Sequence, residues 1–258
     1  MAVNIDLSGQ RAFVTAGGSG IGRTIVDWLR EAGAHVFTCD IDGEALADLP
    51  GDVGRWRCDV ADSEALDSVL AAILPGGLDV LVNNAGVSGP TKHVEDITDE
   101  EWRSTMAVDI DSFFYCARRV VPVFKAQRSG AIINMTSTAG LGGYPTRSPY
   151  VAAKWAVGGL TKTLAMELGP YNIRVNAIAP GSVNGPRMDR VVARHALLED
   201  ISDDEVRRLY SIGTSMNTFV DAEEVAAMVC YLASSHGRHI SGQFIGVDGH
   251  METHWPRA

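Results

Sequence analysis

Short apolar runs alternate with longer segments of helical periodicity along most of the chain. The runs RAFVT, HVFTC, RWRCDV and LDVLVNNAG are strand-like, and the first three each precede a stretch whose apolar positions recur with the period of a helix. Two longer helices are predicted over about 99–127 and about 148–169, separated by the strand-like GAIINMTS. A helix near Ala222–Ala233 is predicted between the last two strands, IRVNAIAP and QFIGVDG. This alternation predicts an α/β fold, a Rossmann-like doubly wound parallel sheet flanked by helices on both faces.

No Pro- or Ser-rich linker, repeat or low-complexity stretch interrupts this pattern. We therefore expect a single domain over residues 1–258. The polar segment at about 183–215 is the exception, because it is long, carries several arginines and acids, and interrupts a strand-to-helix connection. Such insertions usually cover a ligand site, so we expect this segment to cover the substrate.

The charge balance narrows the classes of partner. Lys and Arg number 22 against 32 Asp and Glu, the net charge is −10, and no Lys/Arg-rich run occurs, so no nucleic-acid partner is expected. The opening MAVNIDLSGQ lacks the basic and apolar regions of an export signal, and nowhere do 18 apolar residues run together. We therefore expect a cytoplasmic protein without a membrane partner.

The cysteines and histidines show no metal-binding pattern. The cysteines are scattered without C-x-x-C spacing and are interpreted as reduced core residues: Cys39, Cys58, Cys116 and Cys230. The histidine pairs lack the context of a zinc centre: His236 with His239, and His250 with His254. We therefore expect no metal ion.

A glycine-rich loop, TAGGSGIG at 15–22, follows the first predicted strand and leads into a helix. Amides at such a turn lie at the positive end of the helix dipole, where a pyrophosphate binds. Asp40, 18 residues beyond the last loop glycine, is placed to accept hydrogen bonds from a ribose, and no basic residue neighbours it to hold a 2′-phosphate, which favours NAD over NADP. The alternative is that these residues only form turns. The expected cofactor contacts here are Gly17, Ser19, Gly20, Ile21, Gly22 and Asp40.

A Tyr-x-x-x-Lys pair begins another predicted helix, with Ser148 as its N-cap and Pro149 at its first position. Tyr150 and Lys154 lie one turn apart on one face, and a lysine ammonium there favours loss of the phenol proton, so Tyr150 can serve as an acid/base. Ser137 ends the preceding strand, where its hydroxyl can hydrogen-bond a substrate oxygen. Taken singly, each residue has an ordinary alternative as a surface pair or a turn serine.

Together these motifs resemble the short-chain dehydrogenase/reductase family from about residue 7 to residue 249. The resemblance rests on TAGGSGIG, the Cys-Asp-Val segment at 58–60, NNAG at 83–86, NAIAPG at 176–181, GVDG at 246–249, and a serine thirteen residues before the tyrosine of Tyr-x-x-x-Lys. It implies a Rossmann-like fold, NAD(P)-dependent oxidation of an alcohol or reduction of a ketone, a small-molecule substrate, and usually a homotetramer assembled through helices.

The resemblance also implies a role for individual residues. Tyr150 would exchange the hydroxyl proton, Lys154 would bind the nicotinamide ribose, and Ser137 would orient the carbonyl. Asp59 and Val60 would contact the adenine. The residues lining the remainder of the cofactor would be Asn83, Ala85, Gly86, Pro180, Gly181 and Val183.

Three residues depart from the family pattern. Ala16 replaces the first loop glycine, and its methyl group fits if φ is negative there. Gly185 stands where a threonine hydroxyl is often found, a contact that Ser182 or Asn184 can supply instead. Asp109 matches the family's fourth catalytic residue, an asparagine. It either keeps a water relay through its backbone carbonyl or is a residue at a helix kink with local hydrogen bonds.

The sequence indicates less about the substrate than about the fold and the cofactor. Several cationic residues lie in the two loops expected to flank the tyrosine, which suggests a small substrate that is anionic or strongly polar: Arg147, Arg187, Arg190, Arg194 and His195. Alternatively, these arginines are solvated or paired with Asp189, Glu199 and Asp200. An apolar wall formed by Leu141, Tyr144, Trp155 and Met188 is a further alternative, and the tail with Trp255 could reach a neighbouring subunit.

Two other functions stay open on the sequence alone. A dinucleotide-sensing protein without chemistry would share the fold, although it would not need the Ser, Tyr and Lys together. An NADPH-dependent ketoreductase would share the motifs, although Asp40 argues against a 2′-phosphate.

Overall fold

The computed structural model describes residues 5–251, in which seven parallel strands form one sheet in the order β3-β2-β1-β4-β5-β6-β7. This confirms the predicted Rossmann-like α/β fold. The strands are β1 (Arg11–Thr15), β2 (His35–Asp40), β3 (Gly54–Arg57), β4 (Val80–Asn83), β5 (Gly130–Met135), β6 (Ile173–Pro180) and β7 (Phe244–Val247).

Helices cover both faces of the sheet. They are α1 (Gly20–Glu31), α2 (Gly43–Ala47), α3 (Ser63–Ile73), α4 (Asp99–Met106), α5 (Ser112–Gln127), α6 (Ser148–Leu168), α7 (Pro186–Glu199), α8 (Asp203–Ile212) and α9 (Ala222–Ala233). One core layer packs α1 and α9 against the sheet, and the other packs α3, α5 and α6 against its opposite face. Every residue of β4 and β5 is buried, as expected for central parallel strands that are covered on both sides.

The strand order reverses at β1, which lies between β2 and β4. In an open parallel sheet, the crevice outside the carboxyl ends of the strands at such a point is where ligands bind. The chain segments after β1, β4, β5 and β6 all leave the sheet at this edge, and these segments carry the glycine-rich loop, the NNAG motif, Ser137 and Gly181.

Two predicted segments differ from the structure. The helix expected over about 99–127 is interrupted by a five-residue π-helical segment, Ala107–Asp111, between α4 and α5. Segment 183–215 is largely helical, since it contains α7 and α8, which pack on each other through a small apolar cluster that includes Met188, Val192 and Val206.

Helix α6 begins at Ser148, so Arg147 occupies the N-cap position expected for the serine. Boundary shifts of one residue are common at helix ends.

Several expectations concern the chain as a whole. All four cysteines are buried and free in the described part of the chain. No helix within residues 5–251 has the length and hydropathy of a membrane span, and no group of three His, Cys, Asp or Glu side chains there could hold a metal ion. His254 and Trp255 lie outside the described residues. The absence of a metal and the cytoplasmic location stay predictions.

Candidate active site

The glycine-rich loop is packed so closely that two of its glycines cannot carry a side chain. A Cβ at Gly17 would clash with the Thr38 hydroxyl, and a Cβ at Gly22 would clash with the Ala16 carbonyl oxygen. Gly20 has a φ of +54° and open space where a Cβ would lie, so glycine is favoured there by the backbone conformation and not by close packing. The loop is therefore fixed against β2 and α1 and open on its remaining side.

Ala16 adopts a φ of +55°, so the condition under which its methyl group would fit without strain is not met. A left-handed conformation costs an L-residue roughly 1 kcal/mol relative to glycine. The chain nevertheless keeps the loop geometry, because Asn84 donates from its side-chain amide to the carbonyl oxygens of Thr15 (3.0 Å) and Ala16 (3.1 Å). The Thr15 hydroxyl in turn accepts from the amides of Asn84 and Ala85, both at 2.9 Å.

Asn84 thus ties the end of β4 to the glycine-rich loop, a role that the sequence reasoning missed although the residue belongs to the NNAG motif. The preceding Asn83 is different. Its side chain is buried and donates to Asn134 on β5 at 2.8 Å, and Asn134 donates onward to Thr161 at 2.9 Å. The Asn83 side chain therefore stabilises the packing of α6 on the sheet, and the expected place of Asn83 in the cofactor lining stays a prediction.

The first turn of α1 offers free donors toward the crevice. Ser19 occupies the N-cap position, and its side chain accepts none of the first-turn amides. The amides of Gly20, Ile21 and Gly22 therefore stay available at the positive end of the helix. Donors in this arrangement suit a pyrophosphate, so the residues present fit the phosphate portion of a dinucleotide.

Asp40 ends β2 beside this loop with its side chain held in place. Its Oδ2 accepts from the Gly18 amide at 2.9 Å, and its Oδ1 accepts from the Asp42 amide at 3.0 Å. The residue is 9% exposed, so its charge lies fixed at the loop edge. Strand pairing, however, brings Arg57 of β3 opposite Asp40, and the Arg57 guanidinium donates to the Ile41 carbonyl at 3.2 Å. The expectation that no basic residue neighbours Asp40 is therefore wrong in space, although it holds along the chain.

The remaining predicted contacts lie along the same edge. Asp59 and Val60 follow β3, where the Asp59 carboxylate is exposed and accepts from the Ala61 amide at 2.9 Å, and Val60 is buried. After β6, the Gly181 amide donates to the Val247 carbonyl at 2.9 Å, and Val183 forms an isolated parallel bridge with Val220. These contacts place Pro180, Gly181 and Val183 across the crevice from the glycine-rich loop.

Gly185, the residue that stands in place of the threonine, precedes α7 with a φ of +133°, which an L-residue rarely adopts. Asn184 does not substitute for the missing hydroxyl through a free amide, because its Nδ2 donates to the Asp221 carboxylate at 2.7 Å. Ser182 is buried, at 8% exposure.

The structure brings Tyr150 and Lys154 together on α6. The Lys154 Nζ lies 5.6 Å from the centre of the Tyr150 ring and donates to the Met135 carbonyl at the end of β5, at 3.2 Å. The Thr136 hydroxyl donates to the Lys154 carbonyl at 2.8 Å, which fixes α6 against the strand end. Lys154 is 3% exposed, so its ammonium is held at the edge of the sheet rather than in bulk solvent.

Ser137 lies directly after this strand end in extended conformation, and its hydroxyl oxygen accepts from the Ala139 amide at 3.2 Å. The short turn at Thr138–Gly140 packs on α6 so closely that a Cβ at Gly140 would lie 2.6 Å from the Lys154 carbonyl oxygen. The serine is partly exposed, and its hydroxyl proton is free to be donated.

The Asp109 side chain projects from the π-helical segment toward Lys154. Its Oδ1 accepts from the Val87 amide at 2.7 Å and lies 3.9 Å from the Lys154 Nζ, while its Oδ2 is buried without a partner within residues 5–251. Burial raises the pKa of Asp109, and Lys154 and Arg187 partly oppose the rise. The hydrogen bond to Val87 spans 22 residues, so Asp109 is not held by local contacts alone. A π-helical segment turns such a side chain inward and occurs often at functional sites.

Gly86 completes this cluster by leaving room for it. A Cβ at Gly86 would lie 2.9 Å from the Asp109 Oδ1 and 3.2 Å from the Lys154 Nζ. Any side chain there would displace the carboxylate or the ammonium, so the glycine of the NNAG motif is required by the charged pair.

A cleft of about 940 Å³ opens beside this cluster, between the loop after β4, α4 and α7. The predicted lid arginines Arg187, Arg190 and Arg194 line it, together with Gly86, Val87 and Ser88. The fourth predicted arginine, Arg147, is buried beneath it and donates to the Ser88 carbonyl at 2.6 Å. The structure thus places Arg187, Arg190 and Arg194 on the wall of the cleft, and the Arg147 guanidinium 5.0 Å from the centre of the Tyr150 ring.

A Rossmann-like sheet with a pyrophosphate cradle at its switch point and a Tyr, Lys and Ser group beside it defines a dinucleotide-dependent oxidoreductase. Residues 15–251 match the family model described as Enoyl-(Acyl carrier protein) reductase, a model of the short-chain dehydrogenase/reductases. The chain therefore belongs to the short-chain dehydrogenase/reductase family and is an oxidoreductase acting on CH–OH groups.

Its relatives and structural neighbours match it over nearly their whole lengths. It is 34% identical over 251 residues to a 2,5-dichloro-2,5-cyclohexadiene-1,4-diol dehydrogenase of Sphingobium indicum, covering 95% of this chain and 97% of the relative. It is 35% identical over 256 residues to a trans-4-hydroxycyclohexanecarboxylate dehydrogenase of Sinomonas cyclohexanicum, covering 92% and 91%. The solved structure of an NAD+-bound xylitol dehydrogenase superposes with a TM-score of 0.90 at 27% identity, covering 94% and 98%.

Proposed function

We propose that this chain interconverts a secondary alcohol and a ketone with NAD as cofactor, and that Tyr150 is the acid/base. The observation that carries the proposal is the cluster of Tyr150, Lys154 and Asp109 at the sheet edge, beside a loop with free amides for a pyrophosphate. The bound cofactor supplies hydride transfer, and the protein supplies orientation and proton transfer.

Each residue has a distinct part in this chemistry. The Tyr150 phenol oxygen takes up the proton of the substrate hydroxyl in the direction of oxidation and returns it in the direction of reduction. The Lys154 ammonium, fixed by the Met135 carbonyl, stabilises negative charge on that oxygen. The Ser137 hydroxyl donates to the substrate oxygen and so keeps it beside the phenol. The hydrogen bonds from the Val87 amide to the Asp109 Oδ1 and from the Lys154 Nζ to the Met135 carbonyl hold the group rigid.

The cofactor would be held along the edge of the sheet. Its pyrophosphate would bind at the glycine-rich loop, beside Gly17 and Ser19, through the amides of Gly20, Ile21 and Gly22, since the Gly17 amide already donates to the Cys39 carbonyl at 3.2 Å. Asp40 favours NAD, because a fixed carboxylate accepts hydrogen bonds from ribose hydroxyls and repels a 2′-phosphate. The guanidinium of Arg57 is the one feature on this edge that would favour NADP, so the preference is to be measured with both cofactors.

Further proposed contacts follow from position at the same edge. Asp59 and Val60 would meet the adenine. Ala85, Gly86, Pro180, Gly181 and Val183 would line the nicotinamide half.

We also propose a small polar substrate, one domain in which segment 183–215 covers that substrate, and assembly as a homotetramer. The names of the two relatives each specify an alcohol group on a six-membered ring, which supports a small cyclic alcohol within the proposed class. Exposed aromatic side chains on α4 and α5, Trp102 and Phe114, support an interface through these helices. Light scattering after gel filtration tests the assembly.

The test of the proposed function is NADH formation at alkaline pH from a panel of cyclic and open-chain secondary alcohols, polyols, sugars and hydroxy acids. Activity with NAD+, and lower kcat/KM with NADP+, is the expected result. NAD+ binding without turnover of any compound, also in the reverse direction with the matching ketones, would contradict the proposal and favour a dinucleotide sensor.

A further inference from the structure

The chain has a net charge of −10, yet positive charge is concentrated around the cleft. Arg187, Arg190 and Arg194 are spaced three and four residues apart, so they lie on one face of α7, and all three line the cleft. The opposite face of α7 carries buried apolar residues, among them Met188 and Val192. The arginine face is therefore the one that the fold turns toward the cleft.

These arginines are not neutralised by the acids of their own segment. Asp189 forms its ion pair with Arg207 of α8, and no ion pair joins Arg187, Arg190 or Arg194 to any residue between 5 and 251. Within the described part of the chain, Arg187 donates only to the Gly86 carbonyl, at 3.1 Å. The structure therefore does not show the alternative in which the lid arginines are paired with nearby acids. All three are exposed, which agrees with the alternative in which they are solvated.

The acids at the cleft do not change this balance. Glu101 lines it but is paired with Lys92 at 2.6 Å. Asp109 is fully buried behind Val87. Glu199 lines a neighbouring cavity of about 10 Å³ with Arg147 and His195, and it is exposed there.

Arg147 adds a charge beneath the cleft that the protein leaves incompletely satisfied. It is 4% exposed, forms no ion pair with a described residue, and its Nε is buried without a hydrogen-bond partner in that part of the chain. Its guanidinium lies 5.0 Å from the centre of the Tyr150 ring. Burial lowers the pKa of Arg147, and the nearby Arg187 and Arg194 add to this effect. A guanidinium nevertheless stays charged in proteins.

The guanidiniums of Arg147, Arg187 and Arg194 repel each other, the buried Asp109 offsets this repulsion at Arg147 and Arg187 without forming an ion pair with either, and the burial of Arg147 costs further free energy. Such an arrangement is expected where a ligand of opposite charge completes it. We propose that the substrate of this enzyme carries an oxyanion group, a carboxylate, sulfonate or phosphate, which Arg187 and Arg194 bind above the fixed charge of Arg147. The inference rests on the proposed function and adds the substrate class to it.

Arg147 connects the cleft with the proposed acid/base. Its guanidinium donates to the Ser88 carbonyl in the cleft wall and lies 5.0 Å from the centre of the Tyr150 ring, so an anion attracted to Arg147 would lie on the Tyr150 side of the cleft. Guanidinium groups bind oxyanions through two parallel hydrogen bonds, which fixes orientation as well as position.

The first test is calorimetric and needs no turnover. The NAD+-saturated protein is titrated with sodium sulfate, phosphate and acetate at constant ionic strength, using wild type, the double variant R187Q/R194Q, and the control R208Q on the outer side of α8. We expect saturable binding to wild type and R208Q that weakens at least about tenfold in the double variant. A preference for sulfate and phosphate over acetate identifies a tetrahedral oxyanion, and the opposite preference identifies a carboxylate.

Three results of this titration would overturn the inference. The first is the absence of saturable anion binding to wild type below ~100 mM. The second is equal anion binding to wild type and the double variant. The third is a loss of NAD+ affinity in the double variant that is as large as its loss of anion affinity. The last result would assign these arginines to the cofactor.

The second test compares each hydroxy acid of the substrate panel with its methyl ester. We expect kcat/KM for the acid to exceed that for the ester at least about tenfold in wild type, and this ratio to fall toward one in R187Q/R194Q. Equal or better turnover of the esters would overturn the inference while leaving the proposed function intact. Anion binding without turnover of any compound would contradict the proposed function, and with it the assignment of the anion to a substrate, and would leave only an anion site at these arginines.

Discussion

The Asp109→Asn substitution separates two effects of the Asp109 carboxylate on the active site: its hydrogen bond with the Val87 amide and its negative charge near Lys154. Asparagine keeps an oxygen acceptor for the Val87 amide, so the fold of the cluster is retained, while the charge near Lys154 is removed. Burial raises the pKa of Asp109, and Lys154 and Arg187 oppose the rise, so the prediction concerns the carboxylate where it is ionised. A negative charge there opposes formation of a second negative charge on the phenol oxygen.

The size of this effect follows from two distances. The Lys154 Nζ lies 3.9 Å from the Asp109 Oδ1 and 5.6 Å from the Tyr150 ring centre, so the carboxylate and the ring are within about 10 Å of each other. At an effective dielectric constant of about 20, two unit charges about 10 Å apart interact by about 1.7 kcal/mol, or about 1.2 pH units.

We therefore expect the ascending limb of the pH profile of kcat/KM to move to lower pH by about one unit in Asp109→Asn. The plateau should change by less than about tenfold, ~1.4 kcal/mol in the barrier. The assay is NADH formation across the alkaline range. The matched control is Asp111→Asn, an exposed residue two positions further on, which should leave the profile unchanged. An unmoved limb, a shift to higher pH, or a plateau loss far above tenfold would refute the reasoning.

Three further predictions follow from the loop and cluster geometry. Gly86→Ala places a Cβ 2.9 Å from the Asp109 Oδ1 and should lower kcat/KM at least about tenfold. Its control is Gly159→Ala on α6, where nothing lies within 4 Å of the added Cβ and kcat/KM should be unchanged. Equal kcat/KM values for the two variants would contradict the packing argument. Asp40→Ser should improve the affinity for NADP+ relative to NAD+ at least about tenfold, measured by fluorescence titration, and an unchanged ratio would remove the assigned role of Asp40. Ala16→Gly should raise the free energy of unfolding by about 0.5–1 kcal/mol in urea titrations, and a loss of stability would contradict the strain assigned to its φ of +55°.

The features predictable from the sequence are those encoded by short-range pattern. The strand-helix alternation predicts the parallel sheet, and the glycine-rich turn predicts the start of α1, because each depends on neighbouring residues only. The spacing of Tyr150 and Lys154 predicts their shared face for the same reason.

The features missed are those that depend on distant contacts or small backbone changes. The π-helical segment around Asp109 differs from an α-helix by one residue per turn, which a hydrophobic pattern cannot resolve over five residues. Arg57 lies opposite Asp40 only through the register of β2 with β3, and the Asn83 side chain donates to Asn134 because the two residues are strand neighbours. The burial of Arg147 requires the packing of its loop beneath α7.

The most direct test of the account compares Tyr150→Phe with wild type in two measurements on the same preparations: NAD+ affinity and kcat for the best alcohol of the panel. Removal of the phenol hydroxyl leaves the ring in place, so we expect the dissociation constant for NAD+ to stay within about threefold and kcat to fall by about 10²–10⁴-fold. Retention of more than about a tenth of the wild-type kcat would contradict the assignment of Tyr150 as the proton-transfer group.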